Sequence, residues 1–346
     1  MTAALQKTIH VTKAIALWML FHTGLLRLLL VLRLRGRAVV LTYHRVIPAE
    51  LRQSSFSADQ IIVTTETFQQ QMDLLQRYLR PLAPDEFAKA LASGSIPNRA
   101  CLVTFDDGWW DNAAHAAPIL ERTGVPAVVF VATDYIGSDL CFWQERLARL
   151  LFTVWEQGST GRAYLKELEC HAPSEDPAQA RISIRQFVTS VKSRPMPQIE
   201  QLLSSVEQKL RDWGVAVPGL QGDRFMSWDE VKKLTANGRI TIGSHCCSHT
   251  PLTKLDAGSI ATELARSRSE IAQRTGAIVN DLAYPNGDCN DAIVALVRDA
   301  GYRLAFTTER GHVGANAKPL RIRRINIQEQ SARTPAAFLG RLAGIA

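Results

Sequence analysis

The sequence is short of the features that mark several common classes of protein. Its six cysteines, Cys101, Cys141, Cys170, Cys246, Cys247 and Cys289, show no paired spacing, which excludes a disulfide-stapled scaffold and favours a reducing compartment. No Gly-x-Gly-x-x-Gly loop follows any strand-like run, so the usual signal of a dinucleotide-binding sheet is missing. No recognition-helix pattern or aromatic strand motif accompanies the basic charge, and nucleic acid is not expected as a partner. No repeat of fixed period is visible. With 346 residues, 46% hydrophobic and 21% charged, the chain can bury a sizeable core, and one large α/β domain with attachments fits better than two equal ones. The formal net charge of +7 suits an anionic membrane surface or an acidic substrate.

What is present is organised around Ala100-Cys-Leu-Val-Thr-Phe-Asp-Asp-Gly108, an apolar run that ends in two acids and a glycine. It reads as a buried strand delivering Asp106 and Asp107 to a loop, at the end of a parallel sheet where active sites are built. Adjacent carboxylates repel, so a site that keeps both ionised puts a cation between them or gives each its own partner. A solvated Asp-Asp-Gly turn is the plain alternative. A second motif, Gly243-Ser-His-Cys-Cys-Ser-His-Thr-Pro251, follows the strand-like run 239–243. Two imidazoles four residues apart, His245 and His249, can converge on one ion, although His-x3-His also occurs as a pair of surface histidines. Two His and one Asp leave open positions on zinc for water and substrate, as hydrolysis requires.

At these residues the chain resembles the polysaccharide deacetylase family, the carbohydrate esterases with a NodB-homology domain. Their first two motifs read Thr-Phe-Asp-Asp-Gly and His-(Ser/Thr)-x-x-His; here they stand as 104–108 and His245-Cys-Cys-Ser-His249. The resemblance covers roughly 38–345 and implies that Asp106 is the catalytic base, while Asp107, His245 and His249 hold a divalent metal ion, zinc by expectation. The family pattern uses the flanking histidines, so Cys246 and Cys247 read as filler. Trp109 and Trp110 offer faces for a pyranose ring or serve as core, and one of the two is assigned to the cleft. The third motif, Ala283-Tyr-Pro-Asn-Gly287, lacks the arginine that pairs with the catalytic aspartate in many members. It resembles a branch with an Ala-Tyr-Pro-x-Gly motif, and an Ile-x-Arg-Ile pattern of that branch selects Arg324 over Arg321 and Arg323 as its substitute. The late Leu-x-x-His motif that supplies the general acid elsewhere is also missing, which leaves His44 or His312.

Taken in order, residues 14–32 are nearly all apolar and are followed by Arg33, Arg35 and Arg37. A cleaved signal, a spanning helix and a helix packed on the protein's own barrel all compete with the preferred reading, an interfacial amphipathic helix over 1–37 whose basic residues meet anionic headgroups. Under either membrane reading the catalytic part is cytoplasmic, at the inner face of the cell membrane. The run 38–43 ends in His44 as the acidic strand ends in Asp106, which places His44 at the barrel mouth. Helices are expected over 65–79, 84–91 and 111–122, and strands near 38, 101, 125, 239, 281, 302 and 320. The expected fold is therefore α/β, a distorted or incomplete β/α barrel of about seven strands spanning 38–345. It is interrupted by a mostly helical insertion over 138–223; an open doubly wound sheet is the runner-up. The expected activity is removal of N-acetyl groups from an amino-sugar glycan, polymeric, oligomeric or lipid-linked. The rivals are an O-acetyl esterase and a non-catalytic glycan-binding or membrane scaffold protein.

Overall fold

The computed structural model describes residues 3–345 apart from 173, 218, 220, 221 and 237, with side chains from residue 12 onward. Met1 and Thr2 of the expected 1–37 segment lie outside the described residues. The chain forms two compact units, one of residues 1–48, 60–138 and 225–346 and one of 49–59 and 139–224.

The first unit is built on a parallel sheet. Its strands β1 (Arg37–Tyr43), β2 (Ala100–Phe105), β3 (Ala127–Val131), β4 (Ile240–Ser244), β5 (Asp281–Ala283) and β6 (Leu304–Phe306) lie side by side in chain order. Every residue of β2, β3 and β5 is buried, as strands covered on both faces require, and this is why they read as continuous apolar runs. A seventh strand, β7 (Ile325–Asn326), pairs in parallel with Leu41 and Thr42 of β1, and Ile322 just before it bridges Phe306 of β6. The last stretch thus links the two edges and curls the sheet into the expected distorted barrel. Distortion has a local cause: the short strand Val313–Gly314 runs antiparallel against Arg37 and Ala38, so β7 meets β1 only near its C-terminal end.

Side chains alternate across a strand, and one set faces a common interior. Ala38 and Val40, Ala100 and Leu102, Val128 and Phe130, Ala283, Phe306 and Ile322 form one buried cluster, closed from below by Phe87 and Leu91 of helix Pro84–Ala92. Other expected elements fall close to their positions. Helix Thr65–Tyr78 is capped by Thr64, whose hydroxyl accepts from the Thr67 amide. The helix expected over 111–122 begins as a π-helical turn, Asn112–Ala116, before Ala117–Thr123. Ser227 and Glu230 form a capping box at the start of helix Trp228–Leu234.

The N-terminal segment differs from the single helix expected. It is two helices, α1 (Ala3–His22) and α2 (Leu25–Arg33), broken at Thr23–Gly24, where Gly24 takes φ 77° and the Thr23 hydroxyl turns back to the Met19 carbonyl. No single helix among the described residues is long and apolar enough to cross a membrane; the two arms together meet the length and composition, but they are bent by 88°.

The second unit contains helices Trp143–Trp155, Gly158–Glu167, Pro177–Ser190 and Met196–Asp212 around a core that includes Leu147, Leu151, Ile184, Leu203 and Val206. It also includes 49–59, a segment not expected there: Asp223 accepts from the Ser55 hydroxyl and the Phe56 amide, and Arg181 stacks over the Phe56 and Phe152 rings.

Candidate active site

The inward register that builds the barrel interior continues past the strand ends and selects the site. Following Ala38 and Val40, the next inward positions on β1 are Thr42 and His44; on β2 they are Thr104 and Asp106. Gly243 pairs with inward-facing Phe130, which makes His245 the next inward residue of that strand, and Arg324 follows inward-facing Ile322. Period two alone therefore sends His44, Asp106, His245 and Arg324 to the same end of the barrel.

Asp107 joins them by a backbone turn. It adopts φ 77° and Gly108 φ 85°, while Cys246 and His249 also lie in the left-handed region. Such conformations cost non-glycine residues free energy and gather at functional sites. The Asp107 Oδ1 lies 3.4 Å from His245 Nε2 and 3.3 Å from His249 Nε2, and the three ligand atoms lie within 4.8 Å of one another. Ligands about 2.0–2.1 Å from a shared tetrahedral ion stand about 3.3 Å apart, so Asp107, His245 and His249 fit a small divalent cation. Their orientation is fixed from outside. His245 Nδ1 is 2.8 Å from the Ala283 carbonyl, which makes Nδ1 the protonated nitrogen and leaves the Nε2 lone pair free for a cation. The third motif thus serves the site through a backbone carbonyl.

Asp107 Oδ2 accepts a 2.9 Å hydrogen bond from the indole N–H of Trp109. That ring is fully buried, stacked on Phe225 and covered by Arg45, whose Nε is 2.9 Å from Asp111. Trp109 is thus a support of Asp107 and not a sugar platform. Trp110 lines a groove of about 350 Å³ with Ala113, Pro118 and Lys233, in which no member of the triad takes part. Of the two indoles expected to share the roles of cleft and core, Trp109 is core. Glu263, from helix α3 (Ala257–Thr275), accepts from the Cys247 and Ser248 amides through one oxygen, and Ser267 one turn later bonds Ser244. Cys246 and Cys247 are buried and stand outside the triad, and burial pushes both thiols up.

Asp106 and Arg324, both buried, form a two-pronged pair: Nη1 to Oδ1 and Nη2 to Oδ2, each 2.7 Å. Arg324 also donates to the Thr307 carbonyl and the Thr104 hydroxyl, which hold its guanidinium plane. Burial pushes the Asp106 carboxyl up, but the Arg324 charge leads the groups that outweigh it and hold the acid below the usual carboxylate range. Asp107 is driven well below that range, its burial outweighed by the two imidazoles beside it, His245 and His249.

His44 lies close enough to Asp106, Asp107, His245 and Arg324 to feel their charges; burial is the largest influence and lowers its pKa, against the pull of the two carboxylates. Its Nδ1 is buried with no hydrogen-bond partner among the described residues, and its carbonyl accepts from Asn112. His312 is elsewhere: it bonds the Leu342 carbonyl and precedes the short strand Val313–Gly314 that pairs with Arg37 and Ala38, at the opposite end of β1. That position removes it as an alternative acid.

Glu263 and the support of Asp107 by Trp109 were not foreseen. Glu263 and Ser267 share a helix face by their spacing of four, but nothing in the sequence ties that face to the histidine loop.

Comparison with known proteins places these residues in context. The sequence profile described as polysaccharide deacetylase matches residues 93–305, more than half of the chain. A poly-beta-1,6-N-acetyl-D-glucosamine N-deacetylase of Staphylococcus epidermidis is 30% identical over 112 residues, 30% of this chain and 39% of that protein. The putative polysaccharide deacetylase YxkH of Bacillus subtilis is 28% identical over 106 residues, 30% of this chain and 38% of the other. The matched stretch thus spans under two fifths of the length of either relative. The structure of IcaB from Ammonifex degensii superposes with a TM-score of 0.57 at 20% identity, over 88% of this chain and 97% of that one, a likeness of fold.

Proposed function

The chain belongs to the polysaccharide deacetylase family, and on that premise we propose that it is a metal-dependent hydrolase that removes N-acetyl groups from an amino-sugar glycan. The observation that carries the reading is the convergence of Asp107, His245 and His249 beside an Asp106 held ionised by Arg324. Asp107, His245 and His249 would hold a zinc-like divalent ion, which would supply Lewis acidity to the acetamide carbonyl and to the attacking water.

The rest is the work of the chain itself. Asp106, the base, takes a proton from the water as it attacks; its carboxylate must be free of protons to do so, and Arg324 holds it in that form. In Arg324 the last strand supplies the cation missing from the third motif. His44 is the group at the barrel mouth left to exchange a proton with the departing nitrogen. Its lowered pKa leaves it neutral at neutral pH, so it takes up the proton that Asp106 removed from the water and gives it to the departing nitrogen as the C–N bond breaks. Acetate and a free amino sugar result. An N-deacetylase among the relatives supports the amide over an ester.

The test is acetate release from N-acetylated glucosamine oligomers and from acetylated xylan, with and without chelator. The proposal expects release from the amide substrates that stops on chelation and returns with zinc. Release from the xylan alone, or none from a broad glycan panel by metal-loaded protein, would overturn it.

A further inference from the structure

We propose that the bent α1–α2 pair seats the N-terminal end of the barrel on an anionic lipid surface, so that the metal triad opens into water on the far side. Seven of the thirteen large apolar side chains exposed by the described residues fall between 15 and 32, among them Ile15, Trp18, Met19, Leu25, Leu28 and Leu32. Each arm also has an inner face. Leu17 of α1, and Leu26 and Leu30 of α2, are buried with Leu34, and at 100° per residue the exposed set lies on the opposite side. The inner face accounts for folding, while the outer face has no counterpart within the described residues of this unit. An apolar patch of this kind marks an interaction surface.

Charge identifies the occupant. Lys13, Arg27, Arg33, Arg35 and Arg37 are exposed on and beside the patch, and no acidic residue occurs between 1 and 49. Arg33, Arg37 and Arg310 lie close enough together to press on His312. A second copy of this chain would bring two such cationic rims face to face, which is unfavourable. An anionic bilayer matches both parts, apolar residues entering the acyl boundary and arginines meeting phosphates. The 88° elbow suits a pair lying in the interface, whereas a straight span needs about 20 apolar residues in line.

Orientation follows from the connections. The Leu34 carbonyl accepts from the Arg99 amide and the Gly36 amide donates to Asn98, both just before β2 begins; Arg27 stands over Tyr78 at the end of helix Thr65–Tyr78. The pair is therefore fastened to the N-terminal rim of the strands, whereas His44, Asp106 and His245 follow their C-terminal ends. A strand of seven residues such as β1 spans about 20 Å. Docked in this way, the enzyme works on glycan standing clear of the bilayer, and a sugar attached directly to a lipid headgroup is out of reach. The orientation rests on reading the triad end as the catalytic end; the lipid contact does not.

Co-sedimentation of the full chain with phosphatidylcholine vesicles, and with vesicles containing phosphatidylglycerol in equal part, tests the contact without reading activity. Binding is expected to the anionic vesicles. It should fall at least about tenfold in Trp18→Asp/Leu28→Asp, with the melting temperature unchanged because both positions are exposed. Arg33→Glu/Arg35→Glu should lose the preference for anionic lipid. Hydrogen exchange on vesicles should slow over 12–33 and stay unchanged over 244–250. Absence of vesicle binding, equal binding by the Trp18/Leu28 variant, a dimer in solution that this variant dissolves, or protection of 244–250 would overturn the proposal.

Discussion

At the scale of single residues, the second layer around the triad carries the sharpest consequences. Trp109 gives one hydrogen bond to Asp107 and its ring is held on both sides. Trp109→Phe keeps most of the packing and removes only the N–H, so the expected outcome is a loss of metal affinity of about ten- to a hundredfold with the fold intact. Competition against a chromophoric chelator measures it; unchanged affinity would show that the indole is packing alone. His44 lies on the other side of the division between metal binding and proton transfer. His44→Ala should keep its metal and lose turnover by about 10² to 10⁴, and an unchanged rate would return it to a strand-end histidine. These residues differ in how legible they were. His44, Asp106, Asp107, His245 and Arg324 could be read from strand ends, motif spacing and family resemblance. Trp109 and Glu263 could not, because a hydrogen bond between an indole and a carboxylate two residues away leaves no pattern in sequence.

At the scale of elements, the strands were legible because the parallel sheet is buried on both faces and each strand is a continuous apolar run. The break between α1 and α2 was masked by the largely apolar run around it; Gly24 takes a left-handed backbone there and the Thr23 hydroxyl turns back to the Met19 carbonyl. Segment 49–59 joins the helical unit through Asp223, a contact 168 residues from Ser55 that no local pattern announces. The strand bearing His245 also has a packing constraint of its own. A Cβ on Gly243 would come within 2.4 Å of the Phe130 ring and 3.0 Å of the Asp281 carbonyl. Gly243→Ala should therefore cost roughly 1–3 kcal/mol by overpacking and lower the melting temperature by several degrees, as calorimetry would register. A melting point equal to that of the wild type would mean that β3 and β5 yield more easily than the packing implies.

At the scale of the whole molecule, the account separates two tasks: a triad that holds the ion, and an Asp106–Arg324 pair that handles the proton. Sequence alone could name these residues, but their distances and tautomer needed the closed sheet, because Arg324 reaches Asp106 only after β7 returns to β1. The separation is tested most directly by measuring metal content and acetate release on one preparation of Asp106→Asn, with circular dichroism to confirm folding, since the substitution leaves Arg324 without its carboxylate. The account predicts a full complement of metal and a rate lower by about 10² to 10⁴. A folded variant that has lost its metal, or one that keeps its rate, would contradict it.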